Sequence, residues 1–500
     1  MWHEISSLVQ KGNLELAEKK FSGLKGSIKE ENMSNTLLKY EILILLAESQ
    51  FTLVKNKIES FFLQNPESSN DLIIIAIKNM YIEALWRLNF LENALVLAEE
   101  LKKYFEETNT DDIINFNDQY SYVLYNLSRI YVYLADYKIA EEYAQDSLNL
   151  RTKYSSKFDQ AEVLNVLGII NGYAGKPDEA IKYYKHSLAI RRELGNERLI
   201  AYTINNIGEN YRLKGEEAKA LNSYLECYEI CSKLEDKQGM RLGLIGSASI
   251  NLSQTKFEKA LDDCQKCLTL FDENASPFHT IEMLFQTIRL KLLLHKDYKN
   301  ELEQVYSLGK KFSDKTITFY TKMTQAFILK ENTRIRTKLK AQELFEEILS
   351  EDYQNIEYVI LAMQSLVELY LIELQISNDT TILEDINKLL SRMHELAKQQ
   401  NFFPLMIKTI ILQSRFALLN NKIDNCFEIL DEAELLIKDK HLTGFSLLLD
   451  QERVFINEQI SKWKTLVDSN ASMYQKIQES HLLHYLQDIE KLVNETSDKK

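Results

Sequence analysis

A fixed internal period dominates this chain. Ala140, Ala180, Ala220 and Ala260 each stand 40 residues from the next. The same step relates Ala144, Tyr184, Tyr224 and Cys264, and it relates Leu127, Leu167, Ile207 and Ser247. It also relates Ser128, Gly168, Gly208 and Ala248, all of them small. A period of this length signals a stack of like supersecondary units, because each unit can bury its apolar face only against its neighbours.

Inside one unit, Leu164, Leu167 and Gly168 recur at helical spacing and lead into the turn Ala174-Gly175-Lys176-Pro177-Asp178. Ala180, Ile181, Tyr184 and Leu188 then repeat at three- and four-residue intervals, so the unit reads as helix, turn, helix. Pro177 suits a first helical turn, where its missing N–H is no loss, and Asp178 and Glu179 suit the positive end of the helix dipole. Asp136-Tyr137, Gly215-Glu216 and Thr255-Lys256 hold the same place in the other units. Gly168 and Gly208, with Ala180 and Ala220, predict close helix axes. Tyr184 and Tyr224 are expected to fill the gap toward the next pair.

Only four prolines and 14 glycines occur in 500 residues, and no low-complexity stretch interrupts them, which favours one extended array over separate globular domains. Pro66, Pro177, Pro277 and Pro404 fall between apolar runs and are expected at helix boundaries. With 45% hydrophobic and 27% charged residues the chain has enough apolar side chain to fold. A net charge of -14 without a dense basic block argues against nucleic acid as the main partner. Met1-Trp2-His3-Glu4 does not open a secretory leader, and uninterrupted apolar runs such as Ile73 to Ile77 are too short for membrane insertion. Five cysteines, an odd number, do not make a disulfide framework, and a reducing, cytoplasmic setting is expected.

Leu164, Leu167, Gly168, Ala180 and Tyr184, and then Ile204, Ile207, Gly208, Tyr211, Ala220 and Tyr224, resemble the tetratricopeptide repeat (TPR). The step exceeds that family's usual length of about 34 residues. It is closer to the long repeats of kinesin light chains, G-protein-signalling modulator scaffolds and MalT-like regulators. Tyr202-Thr203-Ile204-Asn205-Asn206-Ile207-Gly208 and Ser187-Leu188-Ala189-Ile190-Arg191 look like those groups in particular. The resemblance implies an all-α, right-handed superhelical solenoid of antiparallel helix pairs, an α-solenoid that serves as scaffold or adaptor and is not an enzyme. It also implies a protein or peptide partner held in the concave groove. The alternative is a regulatory or sensory array, as in MalT-like proteins, that binds a small ligand or an inhibitory protein.

The resemblance is explicit over residues 118–272. Degenerate repeats are expected over 1–117, divergent ones over 273–443 and capping helices over 444–500, with about ten or eleven pairs in all. Ile356 to Ile376 reads as one long apolar helix with Thr381 to Gln399 as its partner. Gly444 to Asn494 reads as a long closing helix plus a final one, with Asp498, Lys499 and Lys500 frayed.

In the family the first helix of each pair lines the inner surface. There the positions not needed for packing hold Tyr122, Tyr125, Asn126 and Arg129 in one pair, Glu162, Asn165 and Ile169 in the next, and Tyr202, Asn205, Asn206, Glu209 and Arg212 in the third. Asparagine is a poor choice inside a helix, so these amides call for a reason. They can bond to the backbone of an extended peptide, or to neighbouring helices to hold register. The chaperone-binding branch of the family grips a terminal carboxylate with paired lysines and asparagines. Here Asn165, Ile169, Asn206 and Leu242 take those places, so no carboxylate clamp is evident. Cys264 and Cys267, with Cys227 and Cys231, are expected as core thiols rather than metal ligands. His481 and His484, placed on the last long helix, are expected on a solvated face. No glycine-rich phosphate loop or nucleophile elbow occurs, and no cofactor is expected.

Overall fold

A computed structural model describes residues 2–27, 34–65, 71–108, 112–271, 277–351, 356–399, 401–469 and 471–489. Pro66, Asp272, Asn494, Asp498, Lys499, Lys500 and the side chain of His484 lie outside the described residues. The described residues form 25 α-helices in two compact units, 1–207 and 208–500.

The first unit contains α1 (Trp2–Gln10), α2 (Leu14–Ser27), α3 (Ser34–Ala47), α4 (Phe51–Gln64) and α5 (Leu72–Arg87). It continues through α6 (Leu91–Glu107), α7 (Ile113–Tyr133), α8 (Tyr137–Tyr154), α9 (Lys157–Tyr173) and α10 (Pro177–Leu194). The unit boundary falls inside α11 (Glu197–Leu213). The second unit holds α12 (Glu217–Lys233), α13 (Lys237–Ser253), α14 (Phe257–Thr269), α15 (Pro277–Leu293), α16 (Lys299–Lys311) and α17 (Lys315–Lys330). After these come α18 (Ile335–Ser350), α19 (Ile356–Ser377), α20 (Ile382–Gln399), α21 (Phe403–Leu419) and α22 (Ile423–Asp439). It closes with α23 (Ser446–Asp468), α24 (Met473–Glu479) and α25 (Leu482–Ile489). Consecutive helices pack as pairs, from α1 with α2 to α9 with α10 in the first unit and from α13 with α14 to α21 with α22 in the second. The expected single final helix is instead two short ones, because Ser480 ends α24 and His481 takes a left-handed φ of 50° before α25 begins.

The repeat is legible in the turns. Ala135, Gly175, Gly215, Thr255 and His295, again 40 residues apart, all carry positive φ, between 48° and 73°. The next residue in each turn donates its N–H to a carbonyl five residues back. These bonds are Asp136 to Tyr131 at 3.0 Å, Lys176 to Asn171 at 2.8 Å and Glu216 to Tyr211 at 2.9 Å. Lys256 to Asn251 at 2.9 Å and Lys296 to Lys291 at 2.8 Å continue the series. The left-handed residue lets the chain reverse while satisfying a carbonyl the helix leaves open. Pro177 and Pro277 start α10 and α15, and Pro404 lies in the first turn of α21, as their position in the sequence predicts.

Ala140, Ala180, Ala220 and Ala260 are fully buried. Tyr184 covers the glycine of its own pair, since a Cβ on Gly168 would sit 2.6 Å from its ring. Tyr224 meets both its own pair and the next, since a Cβ on Gly208 or on Gly246 would approach its ring at 3.0 or 2.4 Å. Two further columns hold register. Ser147 and Ser187 each donate Oγ to a first-helix carbonyl of their own pair, Ser121 or Ala161, both at 2.7 Å. Arg151 and Arg191 each reach the next first helix, at the carbonyls of Asp159 (2.8 Å) and Leu199 (3.2 Å). Cys227 continues the serine column, its thiol 3.7 Å from the Gly239 carbonyl. All five cysteines are buried, and burial pushes the thiols of Cys264, Cys267 and Cys426 up to about 12.

Each unit also returns on itself. In the first, Asn196 Nδ2 donates to the Gln10 carbonyl at 2.8 Å, and Gln10 Nε2 reaches Ser156 Oγ at 3.4 Å. In the second, the turn at Gly215 meets the short 3-10 turn Thr443–Phe445. Arg212 also contacts Glu357 at 3.4 Å and stacks 5.4 Å from the centre of the Phe402 ring. Contrary to the sequence expectation, one stretch, Glu357–Ser377 in α19, is long and apolar enough to cross a bilayer. It is 67% buried within the fold, and its Glu368 pairs with Lys330 at 2.7 Å, so it serves as a core helix.

Candidate functional site

Two features of the fold offer binding chemistry. The first is the polar ladder on the first helices of the first unit. Of the residues singled out by sequence, Tyr122, Arg129, Glu162, Asn165, Ile169, Tyr202 and Asn206 are half-buried there. Tyr125 (5% exposed), Asn126 (0%) and Asn205 (7%) are buried instead. Glu209 and Arg212 belong to the second unit.

Asn126 is thereby withdrawn from any binding surface and takes a packing role. Its Oδ1 accepts from Trp86 Nε1 at 3.0 Å and its Nδ2 donates to the Asn79 carbonyl at 3.0 Å. The amide thus locks α7 onto α5. Replacing Asn126 by Leu leaves the buried indole N–H and the carbonyl without partners, and is expected to cost about 2 kcal/mol. Urea unfolding followed by tryptophan fluorescence measures this.

Tyr122 donates its hydroxyl to Glu83, and burial together with that carboxylate raises its pKa well above the ordinary phenol value. The Arg151 guanidinium lies 4.7 Å from the centre of the Tyr125 ring, and burial pushes the Tyr125 pKa up to about 12. Arg129 stacks 4.8 Å from the centre of the Trp86 ring. One rung further on, Arg191 pairs with Glu162, and Asn165 Oδ1 accepts from Arg191 Nη1 at 3.5 Å and from Asn206 Nδ2 at 3.4 Å. Both bonds lie at the long limit of hydrogen-bond geometry. The Asn165 side-chain NH2 has no partner among the described residues.

The second feature was not evident from sequence. A cavity of about 330 Å³ opens inside the second unit, lined by residues from α11 to the 443–445 turn. Its charged residues are Glu209, Arg212, Glu217, Glu282, Arg289, Glu357 and Lys408. Arg212 reaches Glu209 at 3.1 Å and Glu357 at 3.4 Å, and Glu209 also accepts the Tyr224 hydroxyl at 2.7 Å. Glu217 accepts from Ser253 at 2.8 Å and from Gln254 at 3.1 Å. Arg289 donates to Gln286 at 2.8 Å, Gln286 to Tyr358 at 2.7 Å, and Tyr358 to Glu282. Burial raises the pKa of Glu217 and of Glu282, and lowers that of Lys408. Lys408 has no hydrogen bond or ion pair among the described residues. A lysine in the run Phe403 to Leu412, where Thr409 is the one other polar residue, was the signal available in the sequence.

His481 stands in the turn before α25 rather than on a helix, exposed and edge-on to Phe455 at 5.8 Å between ring centres.

Residues 159–233 match the family model for the tetratricopeptide repeat. The chain carries repeats of this type, and its fold is the all-α solenoid of helix pairs that they build. No curated protein matches it. Among solved structures, the apo form of the quorum sensor NprR from B. thuringiensis aligns with a TM-score of 0.50 at 13% identity, covering 74% of this chain and 97% of that one. NprR in complex with its cognate peptide NprX aligns at 0.44 with 13% identity, covering 67% and 93%. A Rap protein complexed with competence and sporulation factor aligns at 0.44 with 16% identity, covering 80% and 99%.

Proposed function

We propose that this array of tetratricopeptide-type helix pairs is a non-catalytic adaptor that holds a peptide segment of a protein partner along the first helices of its first unit. The free NH2 of Asn165 carries the proposal. It is a half-buried amide donor with no partner among the described residues, and both bonds to the oxygen of the same amide are long. An extended peptide offers backbone carbonyls to such a donor, and exchanging the bond from Asn206 to Asn165 for one to the peptide costs little. Tyr122 and Tyr202, both half-buried, supply apolar contact beside the amides. Solenoids of stacked repeats use their inner faces in this way. The fold shared with a quorum sensor is in keeping with a receptor role.

The test is the double change Asn165→Ala and Asn206→Ala in the full chain. Partners are identified by crosslinking and mass spectrometry on the native complex, and their affinity is then measured with purified components. The variant is expected to bind at least about tenfold more weakly, or about 1.4 kcal/mol. Unchanged affinity with an intact circular dichroism spectrum would place the partner elsewhere.

A further inference from the structure

The cavity of the second unit contains a lysine, Lys408, that makes no hydrogen bond or ion pair among the described residues and feels the Glu217 and Glu357 carboxylates only at longer range. We propose that it binds a small zwitterion, a free amino acid or dipeptide with an apolar side chain, whose carboxylate meets Lys408 and whose ammonium meets Glu282.

Lys408 is the anchor. The other two cations of the lining are engaged, Arg212 by Glu209 and Glu357 and Arg289 by Gln286. Lys408 alone among the three has neither a hydrogen bond nor an ion pair among the described residues, although it lines the cavity. Lys408 is half-buried, and an ammonium partly removed from water without a hydrogen bond or ion pair carries a cost that a ligand carboxylate would relieve.

Charge balance selects a zwitterion over a simple acid. The lining has four carboxylates, Glu209, Glu217, Glu282 and Glu357, against the three cations Arg212, Arg289 and Lys408. An entering carboxylate alone would deepen that negative excess in a low-dielectric space. A ligand that also brings an ammonium leaves the balance unchanged. Glu282 is the natural site for it, a half-buried carboxylate held by the Tyr358 and Tyr320 hydroxyls near His279, with no ion pair to arginine or lysine among the described residues. Leu361, Phe402, Leu405 and Phe445 supply an apolar wall for the side chain. A volume of about 330 Å³ lies at the small end of ligand pockets, which limits the occupant to one or two residues.

Isothermal calorimetry on the full chain tests this with L-leucine, L-phenylalanine and the dipeptide Leu-Leu, against leucinamide and N-acetyl-leucine. At least one of the zwitterions is expected to give saturable heat below about 10 mM, and neither control should, each lacking one of the two charges. Lys408→Met is expected to weaken binding at least about tenfold while keeping the circular dichroism spectrum. Silence from all of the zwitterions, equal binding of either control, or unweakened binding by Lys408→Met overturns the proposal. Should Lys408→Met fail to fold, the comparison of ligands on the unmodified chain still decides it.

Discussion

Glu452→Ala is expected to destabilise the second unit by about 3–5 kcal/mol. Glu452 in α23 receives two parallel hydrogen bonds from Arg415 in α21, both at 2.7 Å, and the two residues are only 4% and 8% exposed. The guanidinium is sandwiched between Phe455 and Tyr485, 4.1 Å from the centre of each ring. Removing the carboxylate strands a buried cation between two aromatic rings. The loss therefore greatly exceeds that of a surface ion pair. The same reasoning predicts that Arg415→Met combined with Glu452→Leu recovers most of the stability, since the burial cost then disappears with both charges. Chemical denaturation followed by circular dichroism measures both, and a loss below about 1 kcal/mol for the single change would refute the account.

The second large effect concerns a single hydrogen atom. A Cβ on Gly444 would lie 2.1 Å from the Gly215 carbonyl oxygen and 2.3 Å from its carbon. Backbone cannot swing away as a long side chain can, so Gly444→Ala must push the 443–445 turn off the turn at Gly215. We expect a loss of about 3 kcal/mol or more. Gly215 is equally constrained, with φ of 73° and the Phe445 ring 2.6 Å from where a Cβ would stand. Gly23→Ala provides the contrast: it lies inside α2 with nothing within 4 Å of its Cβ position, and a gain of about 0.5–1 kcal/mol is expected from helix propensity. Similar unfolding midpoints for the two variants would show that the closure contributes no stability.

The fold was legible because packing positions recur wherever helix pairs stack, and the columns through Ala180 and Gly168 record that directly. The paired columns of Ser147 with Ser187 and Arg151 with Arg191 were equally present in the sequence. Their meaning needed the carbonyls they reach, which no spacing reveals. The site was less legible. Asn126 and Asn165 look alike as helical asparagines, yet one faces a buried indole from the preceding pair. That partner, Trp86, lies where the repeat pattern has faded. The cavity was hidden for a different reason. Its walls come from segments as far apart as Glu209 and Phe445, brought together by the return of the chain to the Gly215 turn and by the contacts of Arg212 with Glu357 and Phe402.

The bond from Asn196 to the Gln10 carbonyl joins residues 186 apart in the chain. An open stack of repeats can lose its terminal units one by one, because each touches only its neighbours. Once the first helix is fastened to the start of the eleventh, neither end of that span is a free end. Fraying at the amino terminus would have to break a contact held by the middle of the chain, and the span should melt as one cooperative block. Its assembly carries the opposite burden. Most contacts here form between adjacent helices and cost little chain entropy, while this one must wait for every intervening pair to be in place, so it belongs to the last and slowest step of folding.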